Sequence, residues 1–556
     1  MSLRMHLLVL AVGLGLLSVG CDQSARGKPG TGSPTATVAT PPPKPPPAPE
    51  TIGKIHWVGK DRLAENTNAP AINGIWSLTE STNLEVQTLG KLATAPWRLF
   101  AGVAALSNAP SDLLLPILED ILRRETLLEI RQTGQNPGAL VLATRVEAAH
   151  AALWTTNLAA VFENLTGGKT VQDGTNGWTL ERQASPSYAE LRVAGDWVVF
   201  GLSQSSNRFV GEMAERLLKS QTSLTDSNYF VSADLDLARI SGAFQLGWEI
   251  PAEWPRLTLT LTADGGNTRT RGELVFPKPL PFQLEPWNIP TNQIHDPLVS
   301  FTAIQGVGPW LEAWPAFKEL QLGPAPNQLF LWAQHGVPFL SYAAATVPDG
   351  TNLISNLTQA LATGVNPWMT NNGIGFFEKG TNGAEVAWSE VPLITPFLRV
   401  VPSINTNFVL GGLVPLLNTN KPMPAELLRQ FESRKDLAGY DWEVTGPRIQ
   451  QWLNFGQLLR FALNKAQISP SSAGFVWLRA MEERLGNSGT TLAVTAPNRL
   501  TLTRNSAIGL SSAELLWLVD WLESPSFPKG LNTFTGKPEI LDPRRLKGRK
   551  QPDLPK

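Results

Sequence analysis

Residues 174–203 read GTNGWTLERQASPSYAELRVAGDWVVFGLS, and this stretch decides the fold class. Asn176-Gly177 is the strongest short hairpin signal, because both residues adopt the left-handed backbone that a tight two-residue turn demands. The runs WTLERQ, AELRVAG and WVVFGLS follow in quick succession and read as consecutive antiparallel strands. Connections this short leave no room for the crossover that parallel strands need. The segment predicts an antiparallel meander.

Working outward, GTNG recurs at 380–383, 206 residues later, with similar neighbours in the same order. GALVLATRV (138–146) lines up with PFLSYAAATV (338–347), and FVGEMAERLLKS (209–220) with MPAELLRQFESR (423–434). SADLDLARI (232–240) corresponds to DWEVTGPRI (441–449), which sets Asp234 against Glu443 and Arg239 against Arg448. The alternating LTLTLTADGGNTRTRGELVF returns as TTLAVTAPNRLTLTRNSAIGL. Two tandem copies are expected, at 94–293 and 294–535, with 51–93 as an N-terminal extension packed on the first. Within each copy a strand such as Leu99–Leu106 leads to an amphipathic helix capped by Ser111 or Asp112. Two strands and a second helix follow (Ala148–Leu165; Asn352–Ala362), then the meander, another helix and a late hairpin. The fold class is α+β: a mixed, mainly antiparallel sheet with helices on one face.

The N-terminus carries a different signal. Arg4 precedes an eleven-residue apolar run, Leu7–Leu17, too short to span a bilayer, and small residues follow at Ser18 and Gly20. This is the layout of a signal peptide over 1–20. Cys21, the only cysteine in the chain, comes next. The segment LLSVGCDQS (16–24) resembles the lipobox of bacterial lipoproteins, with Ser18 where that family usually has leucine. The resemblance implies that Cys21 is acylated and becomes the first residue of the exported chain, on the periplasmic or cell-surface side of the envelope. Ser18 and Gly20 also suit ordinary signal-peptidase cleavage, which would leave a plainly secreted protein. Without another thiol, Cys21 has neither a disulfide partner in the chain nor a second thiolate for a metal site.

Residues 21–50 include PPPKPPPAP and read as a proline-rich tether. Residues 536–556 read as a basic, disordered tail suited to anionic head groups or wall polymer. Between them, residues 51–540 hold 36 basic and 43 acidic side chains. A mildly acidic body is a poor match for nucleic acid, whose phosphates call for clustered Lys and Arg.

Chemistry-bearing motifs are sparse. His56, His150, His295 and His335 are scattered, and no zinc motif or cofactor-binding motif appears, so neither metal nor cofactor is expected. GLSQS (201–205) and GLSSA (509–513) lack the closing glycine of a nucleophile elbow, and SFPK (526–529) carries a proline where its motif needs helix. His295-Asp296 reads as a turn at the copy junction rather than a catalytic dyad. Asp234, Arg239, Glu443 and Arg448 form the candidate polar patch, read as a structural ion pair repeated in both copies. Trp310/Trp314 and Trp517/Trp521, each four apart, read as core. The expected function is a lipid-anchored envelope module that binds or scaffolds an envelope protein or wall polymer without catalysis. Two alternatives stand beside it: a carboxylate hydrolase acting on polysaccharide or peptidoglycan, and a carrier of a hydrophobic ligand.

Overall fold

The computed structural model describes residues 50–528 except 101–109, 134–137, 175–176, 182–187, 204–208, 220–228, 245–252, 314–316, 318–323, 337–339, 372, 374, 381–383, 391–393, 404–405, 415–420, 433, 463–470 and 525–526. The leader, Cys21, nearly all of the tether and the basic tail lie outside the described residues.

The first half contributes β1 (Glu50–Trp57), β2 (Thr126–Gln132), β3 (Ala139–Arg145), β4 (Val171–Gln172), β5 (Gly177–Glu181), β6 (Tyr188–Ala194), β7 (Trp197–Ser203), β8 (Tyr229–Asp236), β9 (Arg256–Asp264) and β10 (Asn267–Val275). The second contributes β11 (Leu298–Gln305), β12 (Gln328–Gln334), β13 (Ser341–Val347), β14 (Phe376–Lys379), β15 (Glu385–Ser389), β16 (Phe397–Pro402), β17 (Asn407–Gly412), β18 (Leu437–Val444), β19 (Asn487–Ala496) and β20 (Arg499–Ser506). Every pairing among these strands is antiparallel, and together they form one 20-stranded sheet. The expected α+β class is the observed one. The meander β5-β6-β7 lies where the opening stretch placed it.

The centre of the sheet is the pair β10·β20. Read outward from it, the order is β10-β9-β8-β1-β2-β3-β7-β6-β5-β4 on one side. On the other it is β20-β19-β18-β11-β12-β13-β17-β16-β15-β14. The same series of positions therefore occurs twice, ten strands apart. The hairpin β9–β10 turns through Gly265 and Gly266, both at positive φ, as a two-residue loop requires.

Two expectations are corrected. Strand β1 is a central strand between β2 and β8, so residues 50–57 belong to the sheet instead of packing on it as an extension. Leu99 and Phe100 end a helix that begins at Thr79, and the boundary at 94 falls inside it; the rest of the expected strand, 101–106, lies outside the described residues.

The helices are α1 (Lys60–Glu65), α2 (Pro70–Trp76), α3 (Thr79–Phe100), α4 (Ser111–Arg123), α5 (Ala148–Thr166), α6 (Phe209–Lys219), α7 (Leu237–Phe244), α8 (Gly308–Ala313), α9 (Gly350–Gly364), α10 (Asn366–Asn371), α11 (Ala425–Arg429), α12 (Thr445–Ala462), α13 (Ala473–Met481) and α14 (Ser512–Leu522). The start of α4 is preceded by Pro110 and has no side-chain cap; Asp349 caps α9 by accepting from Asn352 N. Strand β7 is apolar along almost its whole length because it is covered twice. Val198 and Phe200 meet α5, while Val199 meets Val210, Met213 and Leu217 of α6. The largest core joins the halves. Leu84, Leu92 and Trp97 of α3, Trp154 and Leu158 of α5, Ile449 and Leu453 of α12, Phe475 and Leu478 of α13, and Leu515 and Val519 of α14 share one cluster. Trp477 Nε1 donates to Ser81 Oγ at 2.9 Å, and Lys91 Nζ to Leu522 O at 2.6 Å, tying the same layers.

Candidate functional site

Directly opposed residues on neighbouring strands share a sheet face, so a side chain can be followed across the sheet by register. One row runs Thr302–Asp441–Thr490–Arg504–Thr270–Leu261–Val231. Asp441 and Glu443 alternate onto this face together, and so do Val231, Ala233 and Leu235. Asp234 points the other way. The sequence alignment that set Asp234 against Glu443 is out by one residue, and in a strand that slip exchanges the faces.

The structure supplies its own alignment. Strands β8 and β18 each run directly into a helix, α7 and α12. Counting from those helix starts, Leu235 is equivalent to Glu443, Ala233 to Asp441 and Ile240 to Arg448. Register adds Ile55 for Thr302 and Leu128 for Leu331. Leu235, Ala233, Ile240 and Leu128 sit in a closed apolar core, with Ile55 packed against it. Their counterparts form a polar cluster whose rim is partly open: Leu128 is 8% exposed, Leu331 42%.

Within that cluster Glu443 is nearly sealed and accepts from Ser512 N (2.6 Å) and Ser512 Oγ at the start of α14. Burial pushes its carboxyl up to about 7, and the charge of Asp441 adds to this; the Ser512 bonds and Arg448 pull in the other direction. Asp441 accepts from Thr302 Oγ1 at 2.6 Å and is also raised, by burial first. Arg504 lies against Glu514 and donates through Nε to Thr490 Oγ1 at 2.8 Å. Arg448 donates to Gln451 Oε1 (2.8 Å) and Ser341 Oγ (3.2 Å), with its guanidinium 4.4 Å from the centre of the Trp452 ring. Burial lowers Arg448 to about 10, against the raising pull of Glu443 and Asp441.

The Asp234/Arg239 half of the expected patch is an unrelated surface arrangement. Asp234 takes both guanidinium contacts of Arg256, at 2.6 and 2.8 Å, on a half-exposed strand. Arg239 pairs with Glu50 and donates to Gln132 Oε1 at 3.3 Å, while its N–H donates to Asp236 Oδ1. Among the described residues Asp234 and Arg239 each pair elsewhere, so the expected ion pair between them is not formed. Asp296 accepts from Leu298 N at 3.0 Å, as expected of a turn. Ser511 of GLSSA is the N-cap of α14 in a full capping box with Glu514, so that serine run begins a helix. Trp521 is buried, Trp310 and Trp517 are half-buried, and Trp314 lies outside the described residues.

Sequence reasoning missed Thr302, Asp441, Arg504, Ser512 and Glu514, which come together only through strand register. It also missed a sealed contact in the first half, where His56 hydrogen-bonds with Glu125 Oε1 and with the Tyr229 hydroxyl, each at 3.0 Å. Only the capping box, S-x-x-E ahead of an apolar run, was visible as a motif.

Beside Arg448 a cleft of about 370 Å³ opens between α12, the end of β12 and the 3₁₀ turn Glu482–Arg484. Gly446, Pro447, Gln450, Gln451 and Asn454 form one helical stripe along it, facing His335, Glu482 and Glu483. Gln451 links cleft and cluster, since it accepts from Arg448 and donates to Gln334 O at 2.8 Å. Among the described residues no group of three metal-ligating side chains converges, and no helix is long and apolar enough to cross a membrane.

No family model and no curated protein matches the chain. Two solved structures of TP0453 are similar over part of it. Crystal form III covers 40% of this chain and 76% of that one, at 10% identity and a TM-score of 0.22; crystal form I covers 43% and 98%, at 8% identity and 0.21.

Proposed function

We propose that the chain is a lipid-anchored bacterial envelope protein, attached through Cys21, whose body is a non-catalytic binding module with its binding function in the second half. One observation carries the placement of that function. At equivalent positions the first half holds Leu235, Ala233, Ile240 and Ile55, and the second holds Glu443, Asp441, Arg448 and Thr302. Burying charged groups costs several kcal/mol per ion, roughly, and apolar replacements of similar volume are commonly neutral or stabilising. The first half builds the same strand order with the apolar set, so the fold does not require the polar one. A polar set that the fold does not require is retained for what it does to a ligand or partner.

Two features weigh against the alternative readings. Asp234 and Glu443 face opposite sides of the sheet and cannot act as an acid/base pair on one glycosidic bond. The cleft beside Arg448 carries the carboxylates of Glu482 and Glu483 and the amides of Gln450, Gln451 and Asn454 among its lining residues, and burying an acyl chain against carboxylates would be costly.

The anchor is tested by Cys21→Ser in the native host. The variant is expected to leave the membrane fraction and appear in the soluble one; unchanged fractionation would refute attachment through Cys21.

A further inference from the structure

We infer that the sheet surface over β12 and β13, between α9 and α12, is a docking trough for one amphipathic helix of a partner protein. The inference deepens the binding-module reading and rests on it for the choice of half.

The trough emerges when the halves are matched position by position. Register opposes Leu128 to Leu142 and Ile130 to Leu140 in the first half. In the second it opposes Leu331 to Ala343 and Ala333 to Ser341. With Leu331 equivalent to Leu128, alanine or serine stands for leucine or isoleucine at every other position of the set. Helices close over the first-half set. Leu128, Ile130 and Leu140 share a core with Leu237 and Ile240 of α7, and Leu142 also packs on the main core that holds α4 and α5. In the second half the counterpart of Ile240 is Arg448, which donates to Ser341 and so marks one end of the trough. Beyond that end the floor is open. Leu331 is 42% exposed where Leu128 is 8%, and Ala343 is exposed although its strand is paired on both sides.

Width and chemistry select the occupant. On this face α9 lies along β14–β17, with Ile354 in one cluster with Val386 and Val409, and α12 lies along β18 and β11. Strands β12 and β13 run between them. From β17 to β11 the sheet steps through strand spacings of about 4.8 Å to roughly 14 Å in all. One helix, roughly 10–12 Å across with its side chains, fills that width. In the first half the connection 58–125 supplies α1–α4; the corresponding connection 306–327 is far shorter, with α8 as its described helix. The wall on the α9 side is neutral, since no charged side chain occurs from Gly350 through Phe377. Leu329, Leu331, Ala343 and Ala345 alternate onto the floor. A neutral wall over small apolar residues suits a helix whose apolar stripe carries long side chains such as leucine or phenylalanine. The first half uses that solution itself, filling the equivalent positions with apolar side chains of its own helices.

The probe is an end-capped, dye-labelled peptide with leucine at i, i+3, i+4 and i+7 spacing and glutamine elsewhere, followed by fluorescence anisotropy against the Cys21→Ser chain. Saturable binding is expected, and a scrambled peptide of the same composition should not bind. Leu331→Lys should weaken binding about tenfold or more with an unchanged melting curve, because that side chain is already exposed. Ala343→Leu, which puts the first-half residue on the floor, should weaken it as well. Val476→Lys, at an exposed apolar position on α13, should leave it unaltered. No saturable binding, equal binding of both peptides, or full affinity in Leu331→Lys would overturn the inference. So would laurate binding in place of the peptide, which would seat an acyl chain in the trough. Self-association in sedimentation that Leu331→Lys abolishes, without peptide binding, would seat a second copy there and overturn it too. Leu331 stands outside the buried polar set and the tested chain lacks Cys21. A failure here therefore leaves the polar set and the anchor to their own tests.

Discussion

Replacing Glu443 by Leu and Arg448 by Ile transplants into the second half the residues that stand at equivalent positions in the first. Either substitution alone removes one member of a buried charged set. Glu443→Leu leaves Arg448 without the carboxylate whose charge acts on it most and Ser512 N without an acceptor; Arg448→Ile leaves Glu443 less compensated and releases Ser341 and Gln451. Removing one partner of a buried pair costs about 3–5 kcal/mol. The double variant differs in kind. Burial holds both groups away from their charged states, Glu443 up to about 7 and Arg448 down to about 10. For Glu443 above neutral pH, holding the charge in place costs about 3 kcal/mol. Relief of that strain offsets the largest cost that remains, unpaired donors at buried Ser512, about 1–3 kcal/mol, while Ser341 and Gln451, released with Arg448, are half-buried and within reach of water. The double variant is therefore expected within about 2 kcal/mol of the unaltered chain. Urea unfolding of the Cys21→Ser chain and of both single and double variants at pH 7.5 gives the complete cycle. A double variant that loses as much as the two singles together would show that the fold itself needs the polar set. That result would remove the argument placing function in the second half.

Other outcomes follow from the same geometry. The folded chain holds a proton on Glu443 where the unfolded chain has lost it, so this residue makes stability fall as pH rises from the ordinary glutamate range to about 7. Glu443→Gln should flatten that slope, by about 3 kcal/mol across the window, in unfolding curves at several pH values; an unchanged slope would show that another group sets it. Asp234→Asn, on a half-exposed strand pair, should change stability by less than about 1 kcal/mol in the same assay. Gly446→Ala should lower the melting temperature through a loss of about 1–3 kcal/mol, because the new methyl meets backbone and not a movable side chain; an unchanged melt would mean that α12 shifts freely against the 482 turn. Ser511→Ala should cost about 1 kcal/mol by removing the capping box of α14.

How much of this was legible can be traced residue by residue. The meander from Gly177 to Ser203 was readable because alternation and turn residues are local properties of the chain. Strand β1 was not, because ETIGKIHW is a central strand whose partners, β2 and β8, lie about 70 and 180 residues away, and nothing local announces them. The offset between Asp234 and Glu443 shows the limit most directly. Matching SADLDLARI to DWEVTGPRI is a choice between neighbouring registers of similar merit in letters, and a one-residue error reverses the face of every side chain in the strand.

By itself the sequence determined the antiparallel α+β class, the hairpin positions and the run of small and apolar residues before Cys21, since each follows from short-range periodicity and composition. Only the tertiary structure decided which charges meet. Glu443, Asp441, Arg448, Arg504 and Ser512 come from two strands and two helices spread over 72 residues, and the apolar counterparts that make them conspicuous lie in the other half. Their protonation is set by desolvation and by neighbours across the sheet, quantities that exist only once the chain has folded.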